Sequence, residues 1–335
     1  MRAAAVTEER ALSIVHTIFP SVGIASWQPV PGEHENALYS LALSDRTETI
    51  LKVYAAGPDL EAYTREAQLL HLITAETGVP VPRVLAHDAQ LPWEQASEDS
   101  HPWVLLSRLP GIPLLQVMGG LEDTELEAVA YELGRYVAHL HQIPLDTFGC
   151  ILSSGPHDRA REKDYVLSQV TDWLAQCEWT GLLAPETRSL LRRSFGDTDA
   201  LDCQQACLTH AALSAQNVMV ESGVTGYHVT GLLDLTHAQG AGPELDMAGL
   251  FAWDFRAVPA ARKGFLDGYT EAGELSPRFW ERLSLYQAFV SLETLLSAHR
   301  RGDTRLAQQA AEQIQSYVGS PGDDRHGNSG VPGHV

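Results

Sequence analysis

Three polar residues, His210, Asn217 and Asp234, stand at fixed intervals in the stretch LTHAALSAQNVMV (208–220) and the TGLLDL run that follows it. An Asn and a later Asp offer hard oxygen donors, of which Mg2+ takes few from protein when phosphates and waters complete its shell. In a phosphoryl-transfer catalytic loop, an Asp that accepts the substrate hydroxyl's proton lies five residues before that Asn, and a second Asp holds metal at the end of the next strand. Here Ala212 lies five residues before Asn217, and Leu213 follows it as a Leu follows the Asp of the loop. The frame of the loop is present and its proton acceptor is not. Singly, an Asn before a strand is usually a turn residue and a strand-end Asp a cap. Their joint spacing is what points to chemistry.

Upstream, Lys52 lies inside the apolar run TILKVYA, where an unpaired buried ammonium is costly. Glu66, on the next helix-patterned segment, can pair with it, as in the Lys–Glu ion pair that positions nucleotide phosphates. The plain alternative is a Lys on the exposed face of an edge strand. The loop ahead of the strand, PVPGEHENALYSL, holds a single Gly and carries little of a Gly-rich phosphate loop.

Other clusters are weaker. Cys203, Cys207 and His210 lack a fourth ligand and standard zinc spacing. His139 and His141, two apart on a helix, point to different faces and do not chelate together. The Ser near a His in SGPHD has no G-x-S-x-G elbow around it.

The elements that must hold these residues follow from periodicity. Residues 8–19 read as a short amphipathic helix, and ALYSLAL (37–43) and ETILKVYA (48–55) as a hairpin across SDRT. DLEAYTREAQLLHLITAET has helical spacing, with Asp59 placed to cap it and Gly78 to end it. WVLLSRLPG (103–111) reads as a buried strand stopping at a Pro-Gly turn. Beyond Gly111 the pattern is helical over about 122–142, 161–180, 186–195, 259–272 and 277–318, the last broken near Arg301-Gly302-Asp303. Two strands, NVMVE and HVTGLLDLT, interrupt the helices. The expectation is an α+β chain with a strand-rich lobe over 1–109, a helical lobe over 110–318 and a disordered Gly/Pro-rich tail over 319–335. A ligand cleft is expected between the two unequal lobes.

Composition narrows the partners. With 23 basic and 43 acidic residues the formal charge is −20, which argues against a phosphate backbone as partner and suits a cationic small molecule. No apolar run approaches the roughly 18–20 residues of a membrane span, and MRAAAVTEERALSIV has acidic residues where a signal peptide is apolar. Four scattered cysteines do not make a disulfide framework in 335 residues. The chain is expected to be cytoplasmic.

Taken together, LTHAALSAQNVMV, GLLDLTHAQGAGPELDMAGL, LGRYVAHLHQIPLDTFG and WVLLSRLPG resemble the aminoglycoside phosphotransferase and choline-kinase-like family, over roughly residues 20–300. PGEHENALYSL and MAGLFAWDF look most like its hygromycin-type branch. The resemblance implies a protein-kinase-like bilobal fold and transfer of phosphate from ATP or GTP, with Mg2+, to a hydroxyl of an aminoglycoside-like antibiotic. It implies that Lys52 and Glu66 position the nucleotide phosphates, that Leu106 to Arg108 lie at the adenine hinge, and that Asn217 and Asp234 bind Mg2+. His210 and Asp246 would be polar supports of the catalytic loop. Trp253, Asp254 and Glu293 are candidates to face an amine-bearing acceptor, against the alternative that Trp253 is core and Asp254 surface. The family has Asp where this chain has Ala212. Either Ala212 is an inactivating replacement of a parental aspartate, or the chain is a natural pseudokinase that binds nucleotide without transferring phosphate. Loss of the base alone, with Lys52, Glu66, Asn217 and Asp234 kept, favours the first.

Overall fold

The alternation in ALYSLAL and the run ETILKV give an antiparallel hairpin, and the rest of a sheet assembles on it. The computed structural model describes residues 6–30, 36–54, 62–88, 101–151, 159–203, 205–224 and 226–318. Asp59, most of the PGEHE loop, SGPHD and the tail after 318 lie outside the described residues.

In chain order, α1 (Glu8–His16) is capped by the Thr7 hydroxyl, which accepts the Arg10 N–H at 3.3 Å. It leads to β1 (Ile24–Pro29), β2 (Ala37–Leu43), β3 (Glu48–Val53), α2 (Ala62–Glu76), β4 (Val84–His87) and β5 (Trp103–Ser107). β6 (Ile112–Pro113), α3 (Leu114–Val117), α4 (Asp123–His141), β7 (Pro144–Leu145) and β8 (Gly149–Cys150) come next. They are followed by α5 (Glu162–Thr180), α6 (Pro185–Gly196), β9 (Ala206–Thr209), β10 (Val218–Gly223), β11 (Gly226–Leu232) and β12 (Gln239–Ala241). α7 (Glu244–Ala252), α8 (Pro259–Ala272), α9 (Phe279–Arg301) and α10 (Thr304–Val318) complete the described elements. The break between α9 and α10 falls at Gly302, in the left-handed region at φ 75°. The first helix stops at His16, three residues short of the expected 19. Strand β1 and helix α7 were not expected from periodicity.

The elements form two compact units, one of Met1–Asp158 with Gln205–Ser276 and one of Arg159–Gln204 with Pro277–Val335. The expected lobe boundary at residue 109 falls inside the first unit.

In the first unit a five-stranded antiparallel sheet has the order β1-β2-β3-β5-β4. β3 is central, pairing Lys52 with Leu38 of β2 and Val104 of β5. One face of this sheet, with Tyr39, Leu41, Leu43, Leu51, Val53 and Leu105, packs with Ala11, Ile14 and Val15 of α1. Strand alternation sends Lys52 to the opposite face, so its position is set by the apolar residues on either side of it. Two smaller sheets, β11-β10-β6 and β7-β9-β12-β8, carry the segments around residues 209–239.

Behind them α4 and α8 meet at backbone distance. A Cβ added at Gly268 would lie 2.0 Å from the Tyr131 carbonyl oxygen, and one at Gly264 2.2 Å from that of Glu127. Only hydrogen at those positions lets the two helices approach so closely.

The second unit consists of α5, α6, α9 and α10. Its buried polar centre is Glu162, whose carboxylate accepts Arg282 N–H groups at 2.6 and 2.8 Å, the Tyr286 hydroxyl at 2.7 Å and the Cys203 N–H at 2.9 Å. A charge pair this deeply buried is tolerated because both carboxylate oxygens of Glu162 take donors.

Candidate functional site

Lys52 on β3 is 6% exposed, so its ammonium must find partners within the protein. It has three N–H groups, and the structure gives it three partners. Glu66 of α2 lies 2.9 Å away through Oε1 and 2.8 Å through Oε2. Asp234 Oδ1 is at 3.1 Å and the Thr236 hydroxyl at 2.9 Å. Burial works against the lysine charge, but Glu66 and Asp234 outweigh it and raise the Lys52 pKa above the usual lysine value. Tyr54, two residues on along the chain, donates its hydroxyl to Glu66 Oε2. Burial and the Glu66 charge push that phenol upward, so it remains a donor. The expected Lys52–Glu66 pair is therefore formed, on a central strand and not on an exposed edge.

Asp234 follows β11 in a left-handed backbone conformation, φ 61° and ψ 71°, which is costly for a residue with a side chain. It is 44% exposed at its side chain. Partial burial would raise its pKa, but Lys52 and the Thr236 hydroxyl hold it well below the usual carboxylate range. Thr236 lies on the short turn Leu235–His237, with its hydroxyl 2.5 Å from Asp234 Oδ1.

The loop between β9 and β10 is held from behind by Asp246, which is 1% exposed on α7. Its Oδ2 accepts the His210 N–H at 2.8 Å and its Oδ1 the Ala211 N–H at 2.7 Å. These bonds support Ala211 in the left-handed region at φ 61°. His141 of α4 meets Asp246 Oδ2 through Nε2 at 2.9 Å and the Tyr269 hydroxyl of α8 through Nδ1 at 3.0 Å. Burial alone would raise the Asp246 pKa, but the bond and charge of His141, with the neighbouring His210, bring it below the usual range. The His210 ring is fully buried, with Nε2 2.8 Å from the Leu233 carbonyl, the residue before Asp234. One histidine thus ties the loop to the segment that presents Asp234.

Within the loop, Asn217 donates from Nδ2 to the Ala212 carbonyl at 3.0 Å. The half-buried Asp254 accepts the Ala215 N–H at 2.8 Å, and burial raises its pKa. The position expected to hold a proton acceptor is a half-buried alanine.

The donor set suits a hard divalent cation. Asn217 has committed its amide nitrogen and Asp234 its Oδ1, so each keeps one oxygen that takes no bond among the described residues, Asn217 Oδ1 and Asp234 Oδ2. One carboxylate and one amide oxygen are the small protein share that Mg2+ accepts alongside phosphates.

Leu106 is buried on β5 opposite Ile50, and Arg108 beyond the strand is exposed, with a guanidinium nitrogen 3.2 Å from Glu48. Trp253 is half-buried at the end of α7. Glu293 is an exposed residue of α9 in the second unit. Asp254 is no plain surface residue, since it holds the loop. Sequence reasoning missed Thr236 and Tyr54, although each lies two positions from a residue it serves. It considered His141 only as a metal ligand.

The profile described as "Phosphotransferase enzyme family" matches residues 26–283, a span that holds every residue of this cluster. Among solved structures, the chain is similar to macrolide 2'-phosphotransferase MphH from Brachybacterium faecium, at 18% identity and a TM-score of 0.64, covering 94% of this chain and 99% of that one. It is similar to APH(2")-IIia in a complex with GDP and kanamycin, at 17% identity, a TM-score of 0.65 and coverage of 92% and 98%. A thermostable mutant of aminoglycoside phosphotransferase APH(4)-Ia stands at 16%, 0.65, 92% and 98%. At these identities the likeness is one of fold, and the fold is the α+β, protein-kinase-like one.

Proposed function

Because this chain belongs to the phosphotransferase enzyme family, we propose that it is built as a nucleotide- and Mg2+-dependent O-phosphotransferase for a small molecule, with its base position vacant at Ala212. The observation that carries this reading is the convergence of Lys52, Glu66 and Asp234 into one bonded cluster, joined through His210 to a loop whose Asn217 is pinned to Ala212. Lys52, held by Glu66, meets the nucleotide phosphates. Leu106 and Arg108 lie at the adenine side, for ATP or GTP. Asn217 and Asp234 would hold Mg2+, which would supply charge neutralisation for the phosphoryl group.

The acceptor is an amine-bearing polyol of the aminoglycoside or aminocyclitol type, and the activity one of antibiotic resistance in the cytoplasm. The charge of −20 and the half-buried carboxylate of Asp254 beside the loop support a cationic acceptor, with Trp253 as a further candidate. Ala212 has no atom that accepts a proton, and a positioned general base contributes about 10²–10⁴-fold. Transfer by this chain is slower by that factor than by a parent with Asp at 212. The second reading, a nucleotide-binding pseudokinase, rests on the same alanine.

Ala212→Asp tests both readings. ADP or GDP release is measured for the variant and the unsubstituted chain with Mg2+ and a panel of aminoglycosides, aminocyclitols and hydroxylated metabolites. Acceptor-dependent release that rises about 10²–10⁴-fold in the variant supports the phosphotransferase reading. Nucleotide binding by both chains with no turnover in either moves the assignment to the pseudokinase.

A further inference from the structure

Thr236 belongs to no part of the scheme above, yet its hydroxyl sits at the junction of Lys52 and Asp234. It accepts a Lys52 N–H at 2.9 Å, so its own hydrogen is left to donate to Asp234 Oδ1 at 2.5 Å. Oδ1 also accepts from Lys52 at 3.1 Å. Both bonds fall on the same carboxylate oxygen, and Oδ2 takes none among the described residues. A carboxylate fixed at one oxygen by two donors cannot rotate freely, and the other oxygen is presented in one direction.

We propose that Thr236 is a positioning residue for the divalent cation: its hydroxyl locks the Asp234 carboxylate so that Oδ2 is the single oxygen offered to the metal. The inference rests on the phosphotransferase reading. Partners that orient a metal-binding carboxylate commonly matter 10- to 100-fold in metal affinity. Of the three acceptors around Lys52, Thr236 is the neutral one, and charge-assisted bonds to carboxylates are the stronger. A nucleotide phosphate oxygen therefore takes the N–H that Thr236 now holds, while the Thr236–Asp234 bond persists. The hydroxyl has two separable jobs, occupying a lysine N–H without nucleotide and aiming the carboxylate in either state.

The test is the Mg2+ dependence of ADP binding, measured by titration calorimetry on the full chain, for the unsubstituted protein, Thr236→Val and Thr236→Ser. Valine matches the shape and removes the hydroxyl; serine keeps it. The expected result is a Mg2+ half-saturation about 10-fold weaker for Thr236→Val and near the parent value for Thr236→Ser. ADP affinity without metal should be unchanged or tighter in Thr236→Val, because a lysine N–H has lost its competitor. Equal Mg2+ half-saturation in all three proteins overturns the positioning role while leaving the phosphotransferase reading in place. Weakened metal-free ADP binding and a lowered melting temperature in Thr236→Val also overturn it, since they describe a structural residue. A parent whose ADP affinity ignores Mg2+ removes the phosphotransferase reading, and this inference with it.

Discussion

Removing the Asp246 carboxylate should loosen the loop that carries Ala212 and Asn217 more than any other single change on α7. Asp246 accepts three bonds at 2.7–2.9 Å, from the His210 and Ala211 backbone N–H groups and from His141. At 1% exposure, no water replaces it freely. In Asp246→Ala two backbone donors lose their partner, at about 1–3 kcal/mol each, and Ala211 loses support for a left-handed conformation worth about 1–2 kcal/mol. Local relaxation offsets part of that sum, so the expected loss is about 3–5 kcal/mol, the usual cost of breaking a buried charge network from one side. Asp246→Asn keeps one acceptor oxygen and should lose about 1–3 kcal/mol.

Both variants also differ from the parent in acid. The folded-state pKa of Asp246 lies below its unfolded value, so the folded protein binds fewer protons there. Its contribution is fully present above the ordinary carboxylate pKa of about 3.9 and is lost as pH falls through the depressed folded value. Urea unfolding near pH 7 and at steps below about pH 3.9 should therefore show parent and variants converging in acid. A loss below about 1 kcal/mol for Asp246→Ala, or a gap that stays constant with pH, refutes the clasp as the holder of the loop.

Gly268→Ala should destabilise by about 1–3 kcal/mol or more, because the new methyl would lie 2.0 Å from the Tyr131 carbonyl and α8 must back away from α4. Gly119→Ala, where a Cβ meets nothing within 4 Å, is the control, and equal melting temperatures for the two would refute the close approach. Asp254→Asn should gain stability relative to the parent as pH rises. Burial raises the folded Asp254 pKa, so from about pH 4 upward the parent gives up stability until that carboxyl ionises in the fold, and the amide does not. Paired urea titrations across that range check it, and a pH-independent difference counts against a strained carboxylate.

Much of the site was legible before folding because its signals are local. Lys52 inside TILKVYA was a candidate for a buried pair with Glu66, and the Ala212–Asn217 interval lies in one loop between two short apolar runs. The β2–β3 hairpin and the helix boundaries of α4, α5 and α8 followed from periodicity to within a residue or two. Helix α7 was not legible, since eight of its nine residues are buried and a helix apolar on all sides shows no stripe. The strand pairs β7, β8 and β12, of two or three residues each, are too short to show a period. β1 alternates poorly and ends at Pro29, which an edge strand tolerates.

Residue types and spacing alone singled out candidates for binding phosphate and metal, and put Ala212 where a proton acceptor was expected. Tertiary structure decided which atoms those groups offer. His141 meets Asp246 across 105 positions of chain and Lys52 meets Thr236 across 184, contacts that no local period encodes. They exist because apolar packing on the far face of the sheet fixes Lys52, and because α4, α7 and the strands behind the loop enclose Asp246, where each buried polar atom must be matched within the fold.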